Sequence, residues 1–411
     1  MTDRVPVETV SPFQRLAKVL SGIDPGKPPI SLAVGEPQHP IPDFVGPVIA
    51  ANLADFGRYP ATTGSEAFRA AVGAWLDRRY DLRGTIDPAS MVVVLNGSRE
   101  GLFLAGLGAK LWYPDKTRPV VLTPNPFYQA YRASALATGD ERIAVACTDP
   151  AATIPDYGAL PTETLDRTIA VYVASPANPQ GSVATTDDWK RLIALARKHR
   201  FMVLADECYS EIYRSDPPAG ALAAAHETGD FSNVVAFHSL SKRSNLPGLR
   251  VGFAAGDAGF LRHWAGLRAF AAPQVPLPLQ AVAIAAYGDE THVAANRALY
   301  NEKYAAAERV LGSRFGRATP PGGFFLWLDM SEVGGGEEAA IRLWRDAGVR
   351  TVPGGYLALP DDAGTNPADP FLRVAMVPDV ATITEALTRL VTLFPSKPVP
   401  SQPVPSKATR Q

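Results

Sequence analysis

Cysteine is nearly absent from this chain, with Cys147 and Cys208 the only two in 411 residues. Two thiols cannot build a disulfide framework, and both come soon after apolar runs, Ile143 to Ala146 and Phe201 to Ala205, so they read as reduced core thiols. The six histidines show no metal-ligand spacing, and no metal is expected. Forty basic residues against forty-one acidic ones leave a net charge of -1. No polycation is present to hold nucleic acid or an anionic membrane. No apolar run is long enough to span a bilayer and no secretory leader is legible, so a cytoplasmic, soluble protein is expected. No internal repeat is apparent.

What is present is enough apolar material, 46% of the residues, to bury a large core in a main domain and a lesser one. Short β-runs alternate with helical stretches such as Asp187 to Arg200 across residues 46–285, the pattern of a mostly parallel α/β sheet in a large domain. Past Tyr287 the pattern changes to a helix-prone stretch, Glu290 to Leu311, then Phe324 to Leu328 and later strands. Residues 286–394 are therefore expected to form a smaller α+β domain, joined by the N-terminal segment 1–45. The tail 395–411, rich in Pro, Ser and Lys, cannot bury a core and is expected to be disordered.

The most informative stretch is Phe237-His238-Ser239-Leu240-Ser241-Lys242, followed by Pro247-Gly248-Leu249-Arg250. It places a lysine just past one β-run and an arginine at the start of another, with Pro and Gly turning the chain between them. A lysine there can form a Schiff base with a carbonyl cofactor, while the guanidinium and nearby hydroxyls can bind a phosphate. Pyridoxal phosphate requires that combination. Ser239-Leu240-Ser241-Lys242 also fits the S-x-x-K pattern of serine acyl-enzymes, but the S-D-N and K-T-G elements of those enzymes do not occur. Asn245-Leu246-Pro247-Gly248 would also stop a helix within two turns.

Other segments supply the remaining contacts. Asn96-Gly97-Ser98-Arg99-Glu100 lies between the run Met91 to Leu95 and a helical stretch, so unpaired helical N–H groups, Ser98 and Arg99 can meet a phosphate. Asp206 ends the apolar run Phe201 to Leu204, at the carboxyl edge where open α/β sheets bind ligands. Against a pyridine nitrogen, a carboxylate at about 4 Å and an effective dielectric of about 20 favours the pyridinium by about 4 kcal/mol. Asn178, held between Pro176 and Pro179, and Tyr209 can hydrogen-bond a phenolic oxygen. Tyr128, after the strand Pro119 to Leu122, can stack on a flat ring. Taken singly, each has an ordinary alternative: a solvated loop, a capped turn, a helix N-cap, a core aromatic.

The order Gly35-Glu36-Pro37, Tyr59-Pro60, Asn96-Gly97-Ser98-Arg99-Glu100, Pro126-Phe127-Tyr128, Asn178-Pro179-Gln180-Gly181, Asp206-Glu207-Cys208-Tyr209, Ser239-Leu240-Ser241-Lys242 and Arg250 resembles the fold-type-I aminotransferases of class I/II, from about Pro28 to Phe394. The resemblance implies pyridoxal 5′-phosphate as cofactor, bound by the large domain 46–285. It implies Lys242 as Schiff-base lysine and proton shuttle, Asp206 on the ring nitrogen, Asn178 and Tyr209 on the phenolic oxygen, and Tyr128 stacked on the ring. Ser98, Arg99, Ser239 and Arg250 would bind the phosphate. Arg373 would clamp the substrate α-carboxylate, which Gly35 and Asn178 approach, and Tyr59 would reach the phosphate of the neighbouring subunit in a homodimer. Gln180 departs from the family's usual Thr and puts none of these roles in doubt.

Four segments, Gly35 to Pro40, Asn125 to Gln129, Asp206 to Tyr213 and Phe237 to Asn245, are similar to the N-succinyldiaminopimelate aminotransferases. That similarity implies transfer of an amino group between N-succinyl-LL-diaminopimelate and 2-oxoglutarate or glutamate, by a ping-pong mechanism in lysine biosynthesis. The alternatives are transamination of other amino acids, a β-elimination lyase on the same cofactor, and a catalytically silent regulatory module. Small amino and 2-oxo acids are the expected partners, with no nucleic acid and no membrane. Several arginines, Arg58 and Arg132 among them, could meet the substrate's distal end.

Overall fold

The computed structural model describes residues 11–147, 152–316, 319–361 and 363–395. All of the expected disordered tail except Pro395 lies outside the described residues. The strands are β1 (Ile30–Ser31), β2 (Val92–Leu95), β3 (Val120–Asn125), β4 (Glu141–Ala146), β5 (Thr168–Ala174), β6 (Met202–Asp206), β7 (Val234–Ser239), β8 (Gly252–Gly256), β9 (Phe325–Asp329), β10 (Val349–Arg350), β11 (Val352–Pro353) and β12 (Phe371–Ala375).

Seven of them form one sheet in the order β2-β8-β7-β6-β5-β3-β4. Neighbouring pairs from β7 through β4 are parallel, while β8 runs antiparallel to both β7 and β2. The central strands are continuous apolar runs because helices cover both faces. Along β6, Val203 and Ala205 join a core with Trp75, Trp189 and Phe253, whereas Met202 and Leu204 join one with Leu102, Tyr131, Tyr172 and Trp264. The two-residue period therefore turns Asp206 toward the second core, at the strand's carboxyl end. Thr185 and Asp188 form a capping box on the helix Thr186–His199, whose last turn carries Arg197, Lys198 and His199.

A smaller antiparallel sheet, β11-β12-β9, packs on the helix Gly335–Ala347 and shares a hydrophobic core with the helix Val380–Leu393. Leu372 and Val374 of β12 enter that core with Leu326 and Leu328 of β9. Arg373, between them and paired with Trp327, must point to the other face. The parallel pair β1 and β10 attaches the N-terminal segment here. Among the described residues no helix is long and apolar enough to cross a membrane.

Candidate active site

A cavity of about 800 Å³ lies where the carboxyl ends of β2, β3, β5, β6 and β7 face the smaller sheet. Parallel strands deliver their following loops to one edge, so residues far apart in sequence converge there: Ser98 after β2, Tyr128 after β3, Asn178 after β5, Tyr209 after β6 and Lys242 after β7. Arg250 arrives from the antiparallel β8, and Arg373 from the opposite wall. A shallower hollow at the amino ends of the strands is lined by Lys116, Asp166 and His199. Its charges are engaged locally, His199 Nδ1 with Asp166 at 2.7 Å and Arg200 with Asp115 at 3.1 Å.

Lys242 sits in a single helical turn, Leu240–Arg243, whose Ser241 N–H is capped by the buried Ser239 hydroxyl at 3.2 Å. Its Nζ donates to the Gly35 carbonyl at 2.7 Å and lies 5.2 Å from the Phe324 ring centroid. No carboxylate pairs with it among the described residues. Burial pushes the ammonium down to about 8, opposed by the nearby Cys208 and Glu36 and reinforced by Arg99 and Arg250. About a tenth of such an amine is neutral at pH 7.

Asp206 is buried, and its carboxylate accepts from the Tyr131 hydroxyl at 2.8 Å and from the Cys208 N–H at 3.3 Å. Burial pushes its pKa up, against those hydrogen bonds. It has no cationic partner among the described residues. Tyr131 carried no role in the sequence, yet its ring stacks on Tyr172 at 4.7 Å and its hydroxyl aims at the carboxylate. The available signal was spacing: Tyr128 begins the helix Gln129–Thr138, and Tyr131 follows one turn on. Cys208 corrects an expectation. It lines this cavity rather than a core, because it stands two residues past the end of β6, where the chain has left the sheet.

Gly97 precedes the helix Ser98–Trp112 with φ of 77°, and a Cβ there would stand 2.1 Å from Arg250 Nη2. Only glycine lets the guanidinium lie against this helix start. Arg250 donates to the carbonyls of Pro247 at 2.8 Å and Asn96 at 3.4 Å, and Arg99 Nε donates to the Tyr128 hydroxyl at 2.7 Å. Ser239 stands apart from the cavity lining, its hydroxyl donating to Ser241 Oγ at 2.9 Å. Tyr59 is 97% exposed and also stands outside this cavity.

Across the cavity Arg373 donates to the Ala33 carbonyl at 2.8 Å and to Asn178 Oδ1 at 3.4 Å, its guanidinium 4.5 Å from the Phe325 ring. Its Nε is buried without a partner, and burial pulls the guanidinium down to about 10. Tyr209 packs edge-on against Phe324 and Phe325, and burial pushes its phenol up. At Gly35 a Cβ would come within 2.6 Å of the Phe325 ring, so the strand-like segment can approach the wall only as glycine.

Among the described residues, a buried carboxylate without a cation, an amine with a lowered pKa, and three arginines without carboxylate partners (Arg99, Arg250 and Arg373) make a site that fits pyridoxal phosphate with a carboxylate substrate beside it. The site asks for a cationic ring, a dianion and a second anion.

The model of the family described as aminotransferase class I and II matches residues 27–390. A solved aminotransferase of Neisseria meningitidis is 38% identical, with a TM-score of 0.88 over 93% of this chain and 97% of that one. The 4-dedimethylamino-4-oxo-anhydrotetracycline transaminase of Streptomyces rimosus is 32% identical over 367 residues, covering 88% of this chain and 92% of the relative. The LL-diaminopimelate aminotransferase of Desulforudis audaxviator is 32% identical over 372 residues, 88% of this chain and 89% of its own.

Proposed function

Since the chain belongs to the class I and II aminotransferases, a family that depends on pyridoxal 5′-phosphate, we propose that it exchanges an amino group between N-succinyl-LL-diaminopimelate and 2-oxoglutarate, with Lys242 as the reacting amine. The observation that most supports an amino transfer is the meeting of Lys242, the uncompensated Asp206 carboxylate and Arg373 in one cavity. The large part, residues 46–285, would carry the cofactor, and residues 286–394 with the N-terminal segment would carry the substrate's carboxylate through Arg373.

When bound, the cofactor supplies an electron sink for charge that develops at the substrate α-carbon. Asp206 would hold a cationic ring nitrogen, and Tyr131 would keep that carboxylate turned toward it. Ser98, Arg99, Arg250 and the first N–H groups of the helix Ser98–Trp112 would bind the phosphate, supported by Ser239. Asn178 and Tyr209 would meet the phenolic oxygen, and Tyr128 would cover the ring. Arg373 and the Gly35 backbone would fix the α-carboxylate, which orients the α-hydrogen toward Lys242. The neutral Lys242 Nζ then takes the α-proton and returns it on the product side.

The substrate's chain would lie on the apolar wall of Phe13, Val34, Phe127 and Leu357. None of the described lining residues left without a role is a cation. A remote carboxylate would therefore be met by a second copy, in a homodimer that also brings Tyr59 to its partner's phosphate. Arg58, beside Tyr59, is the candidate in this chain. The diaminopimelate substrate named for the Desulforudis relative supports this substrate class.

Borohydride reduction of the loaded protein, followed by peptide mapping, should label Lys242, and Lys242→Ala should abolish turnover while leaving a folded protein that binds the cofactor without a covalent link. Label on any other lysine refutes the assignment.

A further inference from the structure

Three buried polar side chains outside the cavity gather around His39, and one of them reaches the turn that carries Lys242. Asn296, Tyr300 and Lys303 occupy positions i, i+4 and i+7 of the helix Thr291–Leu311 and so share one face. That face meets His39: the Tyr300 ring lies 4.5 Å from the imidazole, Lys303 Nζ is 2.6 Å from His39 Nε2, and Asn296 Oδ1 is 2.6 Å from His39 Nδ1. Lys303 is 2% exposed and its hydrogen bonds go to His39 and the Val377 carbonyl, at 2.6 and 2.8 Å. An ammonium buried with no ion-paired carboxylate among the described residues, and only the more distant charge of Asp379 in its favour, is costly, so its retention calls for a use.

The hydrogen-bond chemistry runs in one direction. An ammonium has only donors, so His39 Nε2 must accept from Lys303 and Nδ1 must carry the proton. Nδ1–H then donates to Asn296 Oδ1, which turns the amide nitrogen toward the chain. Asn296 Nδ2 donates to the carbonyls of Lys242 at 3.0 Å and Arg243 at 3.3 Å. These are the last carbonyls of a one-turn helix, which have no partner within the helix. The same N-terminal segment is tied at two further points. Asn245 donates to the carbonyls of His39 and Pro40, and Lys242 Nζ donates to Gly35.

Resting on the reading of Lys242 as the reacting amine, we propose that His39, Asn296 and Lys303 are its positioning residues. Lys303 fixes the His39 tautomer, His39 fixes the Asn296 amide, and Asn296 holds the backbone of the turn while the segment from Gly35 to Pro40 holds the amine. None of the three lines the cavity, so they act on the rate through Lys242 and leave substrate affinity alone.

The test compares His39→Phe, which keeps the ring and the neutral charge but removes both nitrogens, with His39→Asn, whose amide N–H can stand where Nδ1–H stood. Two readouts are taken on the full-length protein: steady-state kinetics of the loaded enzyme, and the Lys242 titration of the cofactor-free protein by pH-dependent competitive acylation and peptide mass spectrometry. His39→Phe should lower kcat at least tenfold with KM within twofold, and should move the Lys242 midpoint upward by half a unit or more as water reaches the amine. His39→Asn should recover most of both. Should His39→Phe not fold, the neutral Asn296→Ala carries the same expectation. An unmoved Lys242 titration in these variants, or equal behaviour of His39→Phe and His39→Asn, overturns the relay. Turnover retained by Lys242→Ala overturns instead the assignment on which the relay rests.

Discussion

The Tyr131 hydroxyl donates to Asp206 Oδ2 at 2.8 Å, and both groups are buried on the face of the large sheet that packs against Tyr172. The pair connects an aromatic at the start of one helix to the last residue of β6, and the hydrogen bond favours the ionised carboxylate that burial disfavours. Tyr131→Phe removes it while keeping the stack. Loss of a hydrogen bond to the charged form raises the carboxylate pKa, so the acid limb of the kcat profile should move to higher pH. The stability change should stay within about 1–3 kcal/mol. A pH–rate profile and a thermal melt at one pH measure the two effects, and an acid limb that stays in place refutes the link.

Asp206→Ala should slow α-proton removal far more than it weakens cofactor binding, because in the proposed site the phosphate and most ring contacts would come from other residues. Single-turnover absorbance with glutamate measures the first and equilibrium dialysis the second. An unchanged single-turnover rate would dismiss the role. The cofactor-free protein gives an independent sign. The folded pKa of Asp206 lies above its unfolded value, so above that window its ionisation opposes folding, and the penalty fades as pH falls. Asp206→Asn without cofactor should therefore melt no lower than the parent at pH 8.

Lys242, with its ammonium pushed down to about 8, should take up the cofactor at a rate that climbs with pH and levels off above that value, since only the neutral amine attacks a carbonyl. Stopped-flow absorbance on cofactor-free protein, repeated across pH 6 to 10, gives the midpoint. A midpoint near the ordinary lysine range would mean that the cavity does not exclude water as the structure describes.

Gly97→Ala should weaken phosphate binding. At φ of 77° an alanine is strained by about 1 kcal/mol, and its Cβ would displace Arg250 Nη2. Affinity for pyridoxal phosphate should fall about tenfold, while affinity for pyridoxal, which lacks the phosphate, should hardly change. Equal losses for the two ligands would place the effect elsewhere than at the phosphate.

Much of this site was legible because parallel strands announce themselves as short apolar runs whose next residues share an edge. Asp206, Asn178 and Lys242 could each be placed at a strand end from that pattern alone. Tyr131 was not legible, since an aromatic one helical turn from another reads equally well as core. Cys208 looked like core because it closely follows the apolar run Phe201 to Ala205, yet the sheet ends at Asp206 and the cysteine emerges into the cavity. His39, Asn296 and Lys303 were beyond reach for a different reason: a contact across 257 residues, such as His39 with Asn296, leaves no local signature. The smaller sheet was seen only as a change of pattern, because β11 contributes two residues.

Substrate choice is the last expectation. In the proposed assignment Arg373 would meet only the α-carboxylate that every amino acid carries, so selectivity would arise at the far end. The described cavity lining offers an apolar wall of Phe13, Val34, Phe127 and Leu357 and no cation without a proposed role. A short dicarboxylate such as aspartate would leave its second charge against that wall unpaired, which is costly. A long acyl-amino acid would lay its methylenes on the wall and carry its remote carboxylate out to the second copy of the proposed homodimer. N-succinyl-LL-diaminopimelate with 2-oxoglutarate should therefore exceed aspartate in kcat/KM by several decades. Arg58→Ala should raise KM for the succinylated substrate about tenfold or more while leaving a substrate without the remote carboxylate unaffected. Initial-rate assays of the purified protein with the succinylated substrate, aspartate and phenylalanine decide it. Equal or greater efficiency with aspartate or phenylalanine would overturn the substrate while leaving the amino transfer in place, because Lys242, Asp206 and Arg373 in their proposed roles would serve every amino acid alike.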